Sequence, residues 1–262
     1  MNNSMNLAQW SVKLSLVFFV ALLVCLEIGY RIGHESTKAN GELTHKGLGA
    51  IEAAVFALLG LLLGFSFAGA TTRLDVRRQL IVDEANAIGT AYFRVDLLPA
   101  SAQPEMRGLF YEYIATRIQA YEKFPDRKAA EKEMAVAEGI QAKIWSRAVI
   151  ASQADPSGNI ARVLLPAINN MIDVTTTRKI ALDTHLPLLI FVLLISVALL
   201  SGLLAGYAMA ARQRRSWLHI LSYALAIAIT IYAVVSLDYP RSGLIRLDAA
   251  DRAMLQLRDS IH

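Results

Sequence analysis

Residues 51–99 read IEAAVFALLGLLLGFSFAGATTRLDVRRQLIVDEANAIGTAYFRVDLLP. From Ile51 to Thr72 the only charge is Glu52. A bilayer core of ~30 Å is crossed by about 20 helical residues rising ~1.5 Å each, so this stretch is long enough to span. Charges then arrive together at Arg73, Asp75, Arg77 and Arg78, yet no glycine or proline separates Thr72 from Arg73. Beyond them Leu80, Ile81, Ala85, Ile88, Tyr92 and Val95 recur every three or four residues, the period of a one-sided helix. The passage predicts a helix that leaves the membrane and continues into water, making the water-exposed segment a rigid extension of the membrane bundle.

Working outward, three further stretches can span: about Val12 to Tyr30, Leu186 to Ala211, and Trp217 to Leu237. Trp10 and Tyr30 frame the first, where amphipathic rings favour the interface. Glu27, Ile28, Gly29, Tyr30 and Arg31 do not supply the small residues of a signal cleavage site, so the first is expected to be retained. Only Arg212 to Ser216 joins the third and fourth, which forces an antiparallel hairpin. The polar link between the first two has its expected reversal at Asn40 and Gly41. Between the second and third, Pro99, Pro104, Pro125 and Pro156 punctuate the chain, and Ile160, Leu164, Ile168, Met171 and Ile172 form a second helical stripe. The expected fold is all-α: four transmembrane helices, with a soluble segment of about four helices (73–98, 104–123, 127–152 and 158–183) between the second and third. Pro104 suits a helix start and Pro166 a kink. The divisions are 1–72, a first membrane hairpin; 73–185, the water-exposed segment; 186–237, a second hairpin; and 238–262, a tail.

The composition agrees, since 55% hydrophobic residues and a mean hydropathy of +0.41 exceed what a soluble domain needs. The 15 basic and 14 acidic residues of 73–185 balance, which is unlike the one-sign face of a nucleic-acid binder. Cys25, the single cysteine, excludes an internal disulfide and reads as packing. Phosphate-loop, dinucleotide, HExxH and GxSxG motifs are missing, and His34, His45, His185, His219 and His262 lack metal-ligand spacing. No enzyme, metal or cofactor is expected.

Several constellations stand out. Gly60 and Gly64, continued by Ala68, repeat every four residues, as do Ala198, Gly202, Gly206 and Ala210. Such rows let helix backbones approach in lipid, within one bundle or between subunits. Glu27 and Glu52 lie in apolar surroundings, where an ionised group needs a partner, a proton or water. Arg31, four residues on, suits Glu27; Glu52 has no such neighbour. Asp83, Glu84, Asn86 and Arg94 belong to a dense polar run, which reads either as an ion-pair network or as the lining of a vestibule. If the helix before Leu186 returns antiparallel to the one after Thr72, Arg178 and Lys179 approach the acids near position 84. After the last span, LDYPRSGLIRLD places Asp238, Arg241 and Arg246 along the headgroup plane.

These residues resemble the bestrophin-like family of bacterial membrane proteins. The resemblance lies in GLLLGFSFAGA, RRQLIVDEANAIGTAYFRVDLLP, NNMIDVTTTRKIALDTHLP, GLLAGY and DYPRSGLIRLD, from about residue 45 to the end. It implies analogy to bestrophins, which are oligomeric anion channels with cytoplasmic termini. Phe56, Phe65 and Phe67 do not repeat along one face as an aromatic pore neck would. Nine Lys and Arg flank the spans on the side of the termini against six opposite, which also favours cytoplasmic termini, although the tight turn with Arg212, Arg214 and Arg215 pulls the other way. The expected protein is a homo-oligomeric, channel-like pore of a bacterial inner membrane that meets lipid and inorganic ions. The alternative is a non-conducting scaffold or sensor whose soluble helices bind a partner.

Overall fold

The computed structural model describes residues 4–40, 48–124, 126–211, 216–240 and 248–261, and all regular structure among them is helical. Helix α1 is Ser4–Asn40 and α2 is Leu48–Phe93, followed by a 3-10 turn, Arg94–Leu97. Then come α3 (Gln103–Glu122), α4 (Arg127–Ser152), α5 (Asn159–Asp183), α6 (Leu188–Ala211), α7 (Trp217–Asp238) and α8 (Asp248–Ser260). Helix α1 runs past Tyr30 because nothing before Asn40 breaks it. The reversal expected at Gly41 and the basic turn at Arg212, Arg214 and Arg215 lie outside the described residues.

Four stretches are long and apolar enough to cross a membrane: Val12–Lys38, Gly49–Leu97, Asn159–Ala210 and Trp217–Asp238. The chain is a multi-span, all-α membrane protein. The expectation of about four helices between the second and third spans is corrected to two, since only α3 and α4 lie between them. Continuity is the reason. The helix expected at 73–98 is the far end of α2, unbroken through Thr72 and Arg73, and the helix expected at 158–183 is α5, which leads into α6 within the third span.

The chain divides into two compact units. The apolar unit comprises residues 8–72 and 185–239. Its core packs Phe18, Leu22 and Leu26 of α1 with Leu59 and Leu63 of α2, Leu194 and Ala198 of α6, and Ala224 and Ile231 of α7. Outside, Leu188 and Leu189 are 75% and 78% exposed and Phe65 is 68% exposed, a surface that suits lipid and not water. Helices α1 and α6 meet backbone to backbone. A methyl group added at Gly206 would overlap the Leu26 carbonyl, and one at Gly29 the Leu203 carbonyl. Asp238 accepts from the Leu186 backbone N–H at 2.9 Å, satisfying a donor where α6 begins.

The polar unit comprises residues 1–7, 73–184 and 240–262. Phe110, Tyr113 and Ile114 of α3, Ile144 of α4, and Leu164, Ile168 and Met171 of α5 fill its core. Local chemistry sets the helix ends: Pro104 lies in the first turn of α3, the Asp126 carboxylate accepts from Ala129 N–H at 3.1 Å to cap α4, and Gly158 adopts φ +67° before α5. Exposed ion pairs Arg147–Glu105 and Lys179–Glu138 join α4 to its neighbours and contribute only ~0 to 1 kcal/mol each.

Candidate functional site

Glu84 sits on the core-facing stripe of α2 between Ile81 and Ile88, and its side chain is wholly buried. Helix α5 runs antiparallel to α2 in the polar unit: Arg77 meets Ala181 and Thr184, Glu84 meets Arg178, and Arg94 meets Val163. That register delivers Arg178, whose Nη1 donates to Glu84 Oε2. A second cation comes from α3, where Arg117 Nε donates to Glu84 Oε1 at 2.6 Å. Arg117 Nη2 also donates to the Tyr121 hydroxyl at 2.5 Å, and the Arg178 guanidinium lies 3.7 Å over the Tyr121 ring. One carboxylate, two guanidinium groups and a phenol ring thus lock α2, α3 and α5 together.

A buried ion costs several kcal/mol of hydration, which is recovered only with good geometry and satisfied hydrogen bonds. Both Glu84 oxygens are engaged, and the Arg178 guanidinium lies over the ring's negative π-surface. One acid to two bases still leaves a positive excess. Asp251 of α8 stands 4.0 Å from Arg178 Nη2. Burial works against the charge on Arg117, but Tyr121 and Glu84 beside it outweigh burial and raise its pKa above the ordinary range.

Tyr113, which shares a 3.1 Å hydrogen bond with Thr175, is pushed up from 10.0 to about 12, chiefly by burial. A group whose pKa is raised by folding contributes stability that is full below its unfolded value of 10.0 and lost as pH climbs through about 12. In a tyrosinate absorbance titration Tyr113 should therefore ionise late. Tyr113→Phe is expected to remove that late phase; an unchanged titration would show that water reaches the hydroxyl.

The other expected residues scatter. Successive helical positions are ~100° apart, so when Glu84 turns inward Asp83 cannot follow. Asp83 is half-buried and accepts from Gln79 Nε2 at 2.9 Å, while Asn86 is exposed. Arg94 donates to the Val163 carbonyl at 2.7 Å, in the turn of α5 where Pro166 offers no N–H and crowds the preceding carbonyls. Arg77, almost fully buried, donates to the Ala181 and Thr184 carbonyls at 3.0 and 2.6 Å, the favourable place for a cation at a helix C-terminus. Lys179 turns away to Glu138 on α4 at 2.8 Å. Glu27 pairs with Arg31 at 2.9 Å. Glu52 is half-buried, and Arg241 lies outside the described residues.

The small-residue rows differ. Gly202 and Gly206 are buried against α1, and a Cβ at Gly202 would stand 2.6 Å from Leu22 Cδ1. Gly60 and Gly64 are exposed, and among the described residues nothing lies within 4 Å of an added Cβ. Sequence reasoning missed the partners of two features. The α1 row of Ala21, Cys25, Gly29 and Gly33 has the same four-residue spacing and faces α6 at its glycines. Arg117 stands among Tyr113, Ile114, Ile118 and Tyr121, a charge on an apolar stripe, and that misplacement was its signal.

Among the described residues no group of three or more His, Cys, Asp or Glu is placed to hold a metal ion. No curated protein and no solved structure matches the chain. The family model described as the bestrophin-like domain matches residues 16–251, from within α1 into α8 and across the whole Glu84 network. The chain therefore belongs to the bestrophin-like domain family.

Proposed function

We propose that this multi-span membrane protein is the subunit of a homo-oligomer whose α2 helices surround a shared axis and form a channel-like pore for inorganic ions. The observation that carries the reading is the open face of α2. Gly49, Ala53, Ala57, Gly60, Gly64 and Ala68 are all exposed along one side of the span. Within the chain the other close-packing glycines, Gly29, Gly33, Gly202 and Gly206, are filled by a neighbouring helix. A smooth groove of small residues gains dispersion energy when a second helix fills it, and among the described residues nothing lies within 4 Å of a Cβ added at its glycines Gly49, Gly60 and Gly64. On the polar part of α2, Asp75, Gln79, Asn86 and Thr90 are exposed, a wettable surface suited to an ion path. The proposed setting is a bacterial inner membrane with cytoplasmic termini.

The test is the oligomer mass of detergent-purified protein followed by ion flux in liposomes. Gly64→Leu should leave the subunit folded while lowering the oligomer mass and the flux; a monomer that passes no ions would overturn the reading. The alternative, a partner-binding scaffold, draws on Phe93 and Leu97, apolar residues one turn apart and 61% and 49% exposed. An oligomer without flux would favour it.

A further inference from the structure

We propose that the C-terminal helix α8 is a charge-locked strap: Asp251 supplies the second negative charge of the buried Glu84–Arg117–Arg178 cluster, so that docking of α8 and pairing of α2 with α5 are energetically coupled. The charge balance leads to it. Arg117 and Arg178 are 5% and 3% exposed, and Glu84 answers only one of their two charges. Asp251 stands 4.0 Å from Arg178 Nη2 with 27% of its side chain exposed, at the rim where the cluster meets α8. A carboxylate there acts through an environment far less screening than water.

The rest of α8 is shaped to hold that carboxylate in place. Met254 of α8 and Ile261, the residue that follows the helix, are 2% and 4% exposed, which marks the side of α8 that packs. The α2 surface carries a glycine where Leu257 arrives: a Cβ at Gly89 would lie 3.1 Å from Leu257 Cδ1. On the opposite side Arg252, Gln256 and Asp259 are exposed. The helix is thus seated by apolar contacts at Met254 and Leu257, continued by Ile261 just beyond its last turn, and faces the buried cations at Asp251. Removing it would uncover Arg178 and withdraw the second counter-charge, weakening the ion pair that ties α5 to α2.

Hydrogen exchange on the full-length protein in detergent tests the coupling. Asp251→Asn keeps the size of the side chain and removes its charge. It should speed exchange in α8 and also around Thr175 to Lys179 of α5, each by about tenfold, as expected when a cooperative local unit loses a supporting charge. Asp251→Glu, which restores the charge, should return both segments close to wild-type protection. Gly89→Leu removes α8 by crowding instead of charge and should expose the same stretch of α5. If Asp251→Asn leaves α5 protected, or if Gly89→Leu frees α8 without any change in α5, the coupling does not exist and α8 is only an apolar cover.

Discussion

Glu84→Gln is expected to destabilise the protein by about 3 to 5 kcal/mol, the cost of breaking a buried ion pair by removing one partner. The cost falls on what remains. Arg117 and Arg178, both almost fully buried, would keep their charges with no carboxylate between them. An amide still accepts a hydrogen bond, but it does not neutralise a guanidinium. Thermal unfolding in detergent measures the loss. Glu84→Gln with Arg178→Gln removes one of the two orphaned cations and should recover part of it, because the changes act on one network and are not additive. If Glu84→Gln instead leaves stability unchanged and alters ion flux, the carboxylate serves conduction and the packing role assigned to it is wrong.

Gly206→Leu is the second substitution with a large expected effect, about 3 kcal/mol, at the upper end of overpacking costs. Even a methyl group at Gly206 would overlap the Leu26 carbonyl and approach Tyr30 N at 2.9 Å, so the obstacle is the backbone of α1 and no side-chain rotation relieves it. Gly202 differs in kind. Its added Cβ would meet the flexible end of Leu22, and Gly202→Ala should cost less. The comparison with Gly64→Leu is the informative one, because Gly64 has open space around it in the subunit. Gly206→Leu should lower the melting temperature of the subunit, whereas Gly64→Leu should change assembly. Equal melting temperatures for Gly206→Leu and the parent protein would mean that α1 and α6 do not cross at these glycines.

Much was legible from local rules. The apolar run from Ile51 to Thr72 is long enough to span, and the absence of any breaker before Arg73 carries α2 onward; the same continuity, applied consistently, corrects the count of helices between the second and third spans. Antiparallel return of α5 follows from the need to reach Leu186, and with it the meeting of Glu84 and Arg178. Asp83 and Glu84 are adjacent in the polar run, but a helix sends neighbours to different faces, and only packing chose which of the two is buried.

What the sequence by itself determined, then, is what depends on the chain's own neighbours: four apolar spans, helix continuity at Thr72 and the family to which the chain belongs. The tertiary structure alone decided which small-residue row is filled, since Gly64 and Gly206 have similar sequence surroundings and differ only in whether another helix lies across them. It alone brought Arg117 from α3 and Asp251 from α8 to the carboxylate of α2 and the guanidinium of α5. The physical reason is range: spacing along a helix fixes which residues share a face, but the charge that a buried ion meets comes from whichever helices pack around it.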